Sequence, residues 1–304
     1  MRGRSRIMQR QDFTPRVTAD GSFTFFSDDF EECFHSHYGA RQEAEGKFVD
    51  PTQVAVLAQQ PRLHLLDICY GLGYNSAAAL ERIWQVNPHC QVELWALEVD
   101  PSVCVAAIAH QALHPYARLV QDSLSQLAKH HQVASAGFTA QLLIGDARQT
   151  IQTLRSQGVQ AQAIFLDPFS PPRCPQLWTV EFFAQIRCCL HPQGRLATYS
   201  CAAAVRSGLI AAGFAVGASP PVGRRSPGTL ASLGNGMLPS LSRQEVEHLQ
   251  TRAAVPYRDP TLNDPAAVIL ERRRFQQQTS ALGSTKDWKQ RWFVNATVSG
   301  HSVS

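Results

Sequence analysis

The stretch Leu63-His-Leu-Leu-Asp-Ile-Cys-Tyr-Gly-Leu-Gly-Tyr-Asn75 decides the fold. Leu63–Cys69 is an apolar run of strand length. Gly71-Leu72-Gly73 breaks it before a helical pattern from about Asn75 to Val86. A glycine pair between strand and helix lets a ligand approach the backbone closely; a purely structural turn is the competing reading. Ser76 stands where G-x-G-x-x-G has its third glycine, which disfavours a dinucleotide pyrophosphate site. A nucleoside without phosphates does not need that geometry.

Outward from this unit the same alternation continues to about residue 235. Strands are expected at Val92–Val99, Gln141–Ile144, Ala161–Leu166 and Arg195–Ser200, with two final ones at Phe214–Ala218 and Thr229–Ser232. Helices are expected at 101–111, 150–157, 179–190 and 202–212, the last ending at Gly213. Strands alternating with helices imply an α/β domain, a parallel sheet of seven strands with helices on both faces. Upstream, Asp20-Gly21 between Arg16-Val17-Thr18 and Phe23–Phe26 reads as a hairpin, and Asp50-Pro51-Thr52 opens a helix to Gln60. Downstream, Leu241, Val246 and Leu249, then Ala267, Ile269 and Leu270, have helical spacing around a proline-rich link from 256 to 265. The organisation read is an N-terminal hairpin extension over 1–50, a Rossmann-like domain over 51–237, and a helical appendage and tail over 238–304.

Acids stand at the ends of successive strands. Glu98 or Asp100 closes the second, and a carboxylate there can accept hydrogen bonds from both ribose hydroxyls. Asp100, directly before Pro101, reads better as a helix cap. Asp146 follows the third strand, where it faces an adenine amino group or caps the next helix. Asp167-Pro-Phe-Ser-Pro-Pro172 follows the fourth. An acid, a proline and an aromatic at a strand end resemble the D-P-P-Y type loop of amino-group methyltransferases, whose amine attacks only through a free lone pair; a rigid structural loop with a capping Asp is the competing reading. Asp167 can accept the proton or a hydrogen bond, Pro168 stiffens the loop, and Phe169 can stack on a flat base. All these acids fall on the carboxyl edge of one sheet, where such folds bind ligands.

The 304 residues are 44% hydrophobic and 17% charged, a globular composition. The net charge of +4 is unevenly placed: +4 in residues 1–16, +3 in 240–304 and −3 between them. Basic ends suit a phosphate-bearing partner or simple solubility. Arg2, Arg4, Arg6 and Arg272-Arg273-Arg274 are the candidates for phosphate contacts. The eight cysteines include no C-x-x-C, so no zinc or disulfide framework is legible. His35 and His37 lack a visible third ligand, no metal is expected, and His130-His131 reads as a solvated pair. No signal peptide or apolar run near 18 residues is present, so no membrane association and a cytoplasmic location are expected.

With these residues in view, the sequence resembles the methyltransferase half of the MnmC family, the tRNA 5-methylaminomethyl-2-thiouridine methyltransferases. The resemblance rests on Tyr70–Asn75, Leu97-Glu98, Gly145-Asp146 and Asp167-Pro-Phe-Ser-Pro-Pro-Arg-Cys-Pro-Gln-Leu-Trp178. It continues through Leu196–Ser200, Val205-Arg206, Gly213-Phe214 and Gly223-Arg224-Arg225, and spans roughly 20–235. It implies a class I fold that uses S-adenosyl-L-methionine, with tRNA as partner and the amine of 5-aminomethyl-(2-thio)uridine as methyl acceptor. Asp67, Tyr70, Gly71, Gly73, Asn75, Glu98, Asp146 and Asp167 would then hold the cofactor. Asp167 and Phe169 would form the catalytic pair, and Phe169, Trp178, Arg224 and Arg225 would meet the substrate. The family's flavin-dependent oxidoreductase half has no counterpart in this sequence, and Pro168 replaces a small residue. Two other functions compete: an aminopropyltransferase of the polyamine synthase type, which would need no basic tail, and a non-catalytic RNA-binding module.

Overall fold

The computed structural model describes residues 13–223, 226–234 and 237–294. Two small hairpins come first. β1 (Arg16–Val17) pairs with β2 (Phe23–Thr24), as the Asp20-Gly21 turn predicts, and β3 (Phe26–Ser27) pairs with β4 (Glu32–Cys33). The chain then coils through α1 (Ala40–Glu43), a π-helix at Ala44–Val49, and α2 (Val54–Leu57). The helix expected over 51–60 therefore starts earlier and breaks at Pro51–Gln53. Pro51 has no N–H for a helical bond, and Gln53 sits at φ 61.

The central sheet follows: β5 (Arg62–Ile68), α3 (Tyr74–Val86), β6 (Gln91–Glu98), α4 (Pro101–Ala109), α5 (Arg118–His130), β7 (Gln132–Ala134) and β8 (Phe138–Ile144). Next come α6 (Ala147–Ser156), β9 (Ala161–Leu166), a 3-10 turn at Pro175–Trp178, α7 (Val180–Cys188), β10 (Leu190–Thr198), α8 (Ala203–Ala211), β11 (Ala215–Ser219) and β12 (Gly228–Ser232). The strand order is β11-β12-β10-β9-β5-β6-β8-β7. Two expectations are corrected. The sheet has eight strands rather than seven, because β7 adds itself antiparallel to β8 at the edge. It is also mixed, because β12 returns antiparallel between β10 and β11. The helix α5 was not expected, although Val120, Leu124 and Leu127 carry its buried face.

Side chains alternate across the pleat of β5. Leu63 and Leu65 join a core with α3, while Leu66 and Ile68 join one with α6 and α7. Asp67, between Leu66 and Ile68, points toward α3. Helix starts are fixed locally: Asp100 accepts from the Ser102 N–H, Asp146 from that of Arg148, and Thr179 from that of Phe182.

The C-terminal segment is helical, as its spacing predicts. α9 (Arg243–His248) opens with a capping box between Ser242 and Glu245. α10 (Ala266–Thr279) buries Ile269 and packs on the Pro175–Trp178 turn, and α11 (Thr285–Lys289) follows. Arg206, 2% exposed, ties this segment to the domain through Glu245, Thr229 Oγ1 and the Gly228 carbonyl. Among the described residues no helix is long and apolar enough to cross a membrane, and no three His, Cys, Asp or Glu side chains are grouped to hold a metal ion.

Candidate active site

The loop after β5 is shaped by left-handed backbone at Cys69 (φ 68), Gly71 (φ 55) and Gly73 (φ 84). The Tyr70 side chain folds across Gly73, where a Cβ would lie 2.6 Å from the phenol oxygen. Only glycine fits there. The loop is held to β6: the Cys69 and Tyr70 N–H groups donate to the Leu97 carbonyl at 3.0 Å, and the Gly71 N–H donates to Glu98 Oε2 at 2.8 Å. Glu98 Oε1 accepts from Val99 and Asp100 at 2.8 and 3.0 Å. Burial raises the Glu98 pKa against these three donors, which favour the charged form.

Behind the loop Asp67 is fully buried. Its Oδ2 accepts from Ser76 at 2.6 Å and its Oδ1 has no partner. Burial pushes its pKa up to about 7. Asn75 Nδ2 donates to Asp167 Oδ2 at 2.9 Å, so the first turn of α3 orients the acid that follows β9. Burial also raises the Asp167 pKa well above the usual carboxylate range, and the Glu43 and Asp67 carboxylates add to it.

A cavity opens along the carboxyl edge of β5, β6, β8 and β9. Its polar wall is Glu98, Asp146, Arg148, Asp167 and Gln176, and its apolar wall includes Phe30, Phe34, Leu97 and Leu177. Asp146 both caps α6 and pairs with Arg148 at 2.6 Å, yet its side chain stays 41% exposed. The two readings of Asp146 are therefore compatible. A second groove lies beyond the loop Asp167–Ser170, walled by Glu32, His35, Glu43 and Tyr199. Phe34, Asp167 and Phe169 line both spaces. Phe169 stacks on Phe30 with ring centroids 4.3 Å apart, so one of its faces is covered by protein. The loop is pinned on three sides: the Ser170 N–H donates to Glu32, Tyr199 Oη to the Pro168 carbonyl, and Trp178 Nε1 to the Phe169 carbonyl, at 2.8 to 2.9 Å.

Of the predicted residues, Gly71, Glu98, Asp146, Asp167 and Phe169 line the first cavity. Asp67, Tyr70, Gly73 and Asn75 stand behind that wall and shape it. Trp178 is corrected: it is 0% exposed, so it anchors the loop and offers no surface to a substrate. Arg224 and Arg225, like Arg2, Arg4 and Arg6, lie outside the described residues. Of the Arg272-Arg273-Arg274 run, Arg274 is exposed, while Arg272 and Arg273 are corrected as phosphate contacts. Arg272 pairs with Asp264 and donates to the Arg258 carbonyl, while Arg273 donates to the Val255 and Ala253 carbonyls over the Tyr257 ring. His35 stacks edge-on against Tyr74, and burial lowers its pKa to about 4. Phe30, Phe34, Arg148 and Gln176 were missed as cavity walls. Arg148 at the second position of α6 had a signal, since it directly follows an acid-capped strand end.

The chemistry of the wall selects the ligand. Among the described residues, three carboxylates face the cavity, a buried fourth has an unpaired oxygen behind it, and the single cation on the wall, Arg148, is already shared between Asp146 and Asp259. A phosphate would meet repulsion here, whereas a nucleoside with a cationic tail fits. Comparisons with known proteins agree. Residues 110–234 match the family described as S-adenosyl-L-methionine-dependent methyltransferase. The solved structure of MnmC2 from Aquifex aeolicus superposes with a TM-score of 0.79 at 31% identity, covering 90% of this chain and 87% of that one. An uncharacterized protein of Methanocaldococcus jannaschii, MJ0670, is 30% identical over 86% of this chain and 71% of its own. The tRNA 5-methylaminomethyl-2-thiouridine biosynthesis bifunctional protein MnmC of an Acidovorax species is 30% identical over 66% of this chain, which spans only 32% of that relative. Fold, cavity chemistry and these relatives together assign the chain to the MnmC-type family of S-adenosyl-L-methionine-dependent methyltransferases.

Proposed function

We propose that this methyltransferase acts on tRNA, methylating the primary amine of 5-aminomethyl-(2-thio)uridine at the wobble position in the cytoplasm. The observation that carries the reading is Asp167, a half-buried carboxyl on the shared wall of the acid-lined cavity and a second, acid-lined groove. The relatives named for tRNA 5-methylaminomethyl-2-thiouridine biosynthesis support the choice of acceptor.

Glu98 and Asp146 would hold the cofactor's ribose and adenine, and Asp67, Tyr70, Gly71, Gly73 and Asn75 would hold or shape its loop. When bound, S-adenosyl-L-methionine supplies an electrophilic methyl group on a sulfonium. Asp167 takes the proton that the acceptor ammonium carries, leaving the lone pair that attacks. Its raised pKa makes it a stronger base, and positive charge arriving on either side favours its ionised form. Asn75 fixes which carboxylate oxygen faces the amine. Phe30, Phe34 and Phe169 keep water from the junction, and Phe169 offers its free face or edge to the uracil ring. Glu32 and Glu43 attract the cationic aminomethyl group into the groove. Arg224 and Arg225, with Arg16 on the groove wall, are assigned to the RNA backbone.

The test uses the purified chain, S-adenosyl-L-methionine and tRNA bearing 5-aminomethyl-2-thiouridine, with nucleosides read by mass spectrometry. One added methyl on the wobble base is expected. Methylation elsewhere, or none, refutes the reading. The acidic groove also suits a free diamine, so a parallel reaction with decarboxylated S-adenosylmethionine and putrescine tests the aminopropyl alternative. Turnover there without tRNA methylation would put that alternative first.

A further inference from the structure

The acid that caps α6 is held from behind by the C-terminal segment. Arg148 is 7% exposed and divides its guanidinium between two directions. Toward the cavity, Nη2 meets Asp146 Oδ2 at 2.6 Å and Nε reaches both Asp146 oxygens at 3.1 Å. Away from it, Nη1 meets Asp259 Oδ2 at 2.8 Å and the Asp264 carbonyl at 2.9 Å. Asp259 is fully buried, and its other oxygen accepts from the Asn263 and Asp264 N–H groups at 3.2 and 3.1 Å. Its own N–H donates to Glu181 Oε2 at 2.7 Å, and Gln149 Nε2 donates to the Leu262 carbonyl. The loop 258–264 is thereby knotted onto the start of α6, on residues beyond the matched stretch 110–234.

Two physical consequences follow. An arginine two residues after an N-cap has many rotamers, and a partly exposed pair alone does not hold one. Clamped by a buried carboxylate, it becomes a rigid strut that fixes the Asp146 oxygens. Electrostatically, Arg148 alone would neutralise Asp146 on the wall of a cavity built for a cation; Asp259 offsets the arginine and leaves that wall its negative charge.

We propose that Asp259 is a positioning residue for the cofactor site: through Arg148 it fixes the carboxylate that reads the amino group of adenine, so the C-terminal segment sets nucleoside recognition. This rests on the reading of Asp146 as the adenine acceptor. The same clamp makes the site sensitive to anything that displaces the loop 258–264.

The test measures binding of S-adenosyl-L-homocysteine and of S-inosyl-L-homocysteine to the full chain by calorimetry. The second ligand presents a carbonyl where adenine has its amino donor, so a fixed carboxylate rejects it. Wild type is expected to prefer the adenine ligand by about tenfold or more, since a site built to bond a donor rejects an analogue lacking it. Asp259→Asn should collapse that ratio to within about threefold, mainly by weakening the adenine ligand, as loss of an orienting partner typically costs about tenfold. Arg273→Met, which loosens the same segment without touching Arg148, should lower Tm and leave the ratio intact. Should Asp259→Asn not fold, Glu181→Gln removes the charge on the Asp259 N–H partner and is expected to lower the ratio in the same direction. A preserved ratio in a folded Asp259 or Glu181 variant overturns the inference alone. Equal affinity of wild type for both ligands overturns the Asp146 reading, and the inference with it.

Discussion

The cofactor cavity and the acceptor groove share one carboxyl, Asp167, and are built in opposite ways. The cavity lies on the edge of the parallel strands. Its acid Glu98 is bound by three backbone N–H groups from two strand ends, and Asp146 by its own helix and a buried arginine. The groove is walled by hairpins of two-residue strands, and its acids Glu32 and Glu43 each accept a backbone N–H, from Ser170 and Ser36. One side is fixed by secondary structure that the core holds in place; the other by contacts between segments far apart in the chain. A rigid side suits a cofactor of one shape, and a wall of small pieces suits a macromolecular acceptor that must be positioned at its rim.

The comparison breaks most sharply at the shared wall. Asp167→Ala should lower kcat about a hundredfold or more, the span of general base catalysis, while S-adenosyl-L-homocysteine affinity stays within about threefold. Single-turnover methylation alongside calorimetry measures both, and retained turnover would remove Asp167 from its role. On the cavity side alone, Glu98→Gln should weaken the cofactor about tenfold to a hundredfold, because charged hydrogen bonds contribute about 1.5–3 kcal/mol and an amide meets the Gly71 N–H less well. Saturating cofactor should then restore most of kcat; a kcat that stays low would tie Glu98 to the groove as well.

The smallest effect on turnover, and the one specific to folding, concerns Asp67. Its folded carboxyl holds a proton that the unfolded chain has already released above pH 3.8. Wild-type stability relative to Asp67→Asn should therefore be flat below about pH 4, fall as pH rises to about 7, and be flat beyond, by an amount of order 4 kcal/mol. Denaturant titrations at several pH values measure this. A difference that does not change with pH would mean that Asp67 is ionised throughout.

Much of the cavity is legible in the sequence because it is local. Leu63–Asn75 states strand, turn and helix in thirteen residues, and an acid that directly follows an apolar run falls on the sheet edge by construction. The edge strand β7 is not legible, because Gln132-Val133-Ala134 is too short and exposed to show alternation. The amphipathic face of α5 stood in the sequence at Val120, Leu124 and Leu127, but the polar residues between the second and third strands masked it. Phe30 and Phe34 approach Phe169 from more than 130 positions away. Trp178 illustrates the reverse error: a distinctive motif residue that points inward to hold a carbonyl.

The sequence by itself determined the α/β class of the fold, the ligand edge of its sheet and the acids along it, since period, turn chemistry and strand ends are properties of neighbouring residues. Only the tertiary structure decided which acids face a ligand and which brace a wall. It put Asn75 on Asp167, Asp259 behind Arg148, and Arg272 and Arg273 inside the C-terminal segment instead of on an RNA surface. These outcomes turn on burial and on partners 92 to 111 residues away for the first two. A side chain's charge and shape are written in its name; whether that charge is spent on protein or left for a ligand depends on what the fold brings beside it.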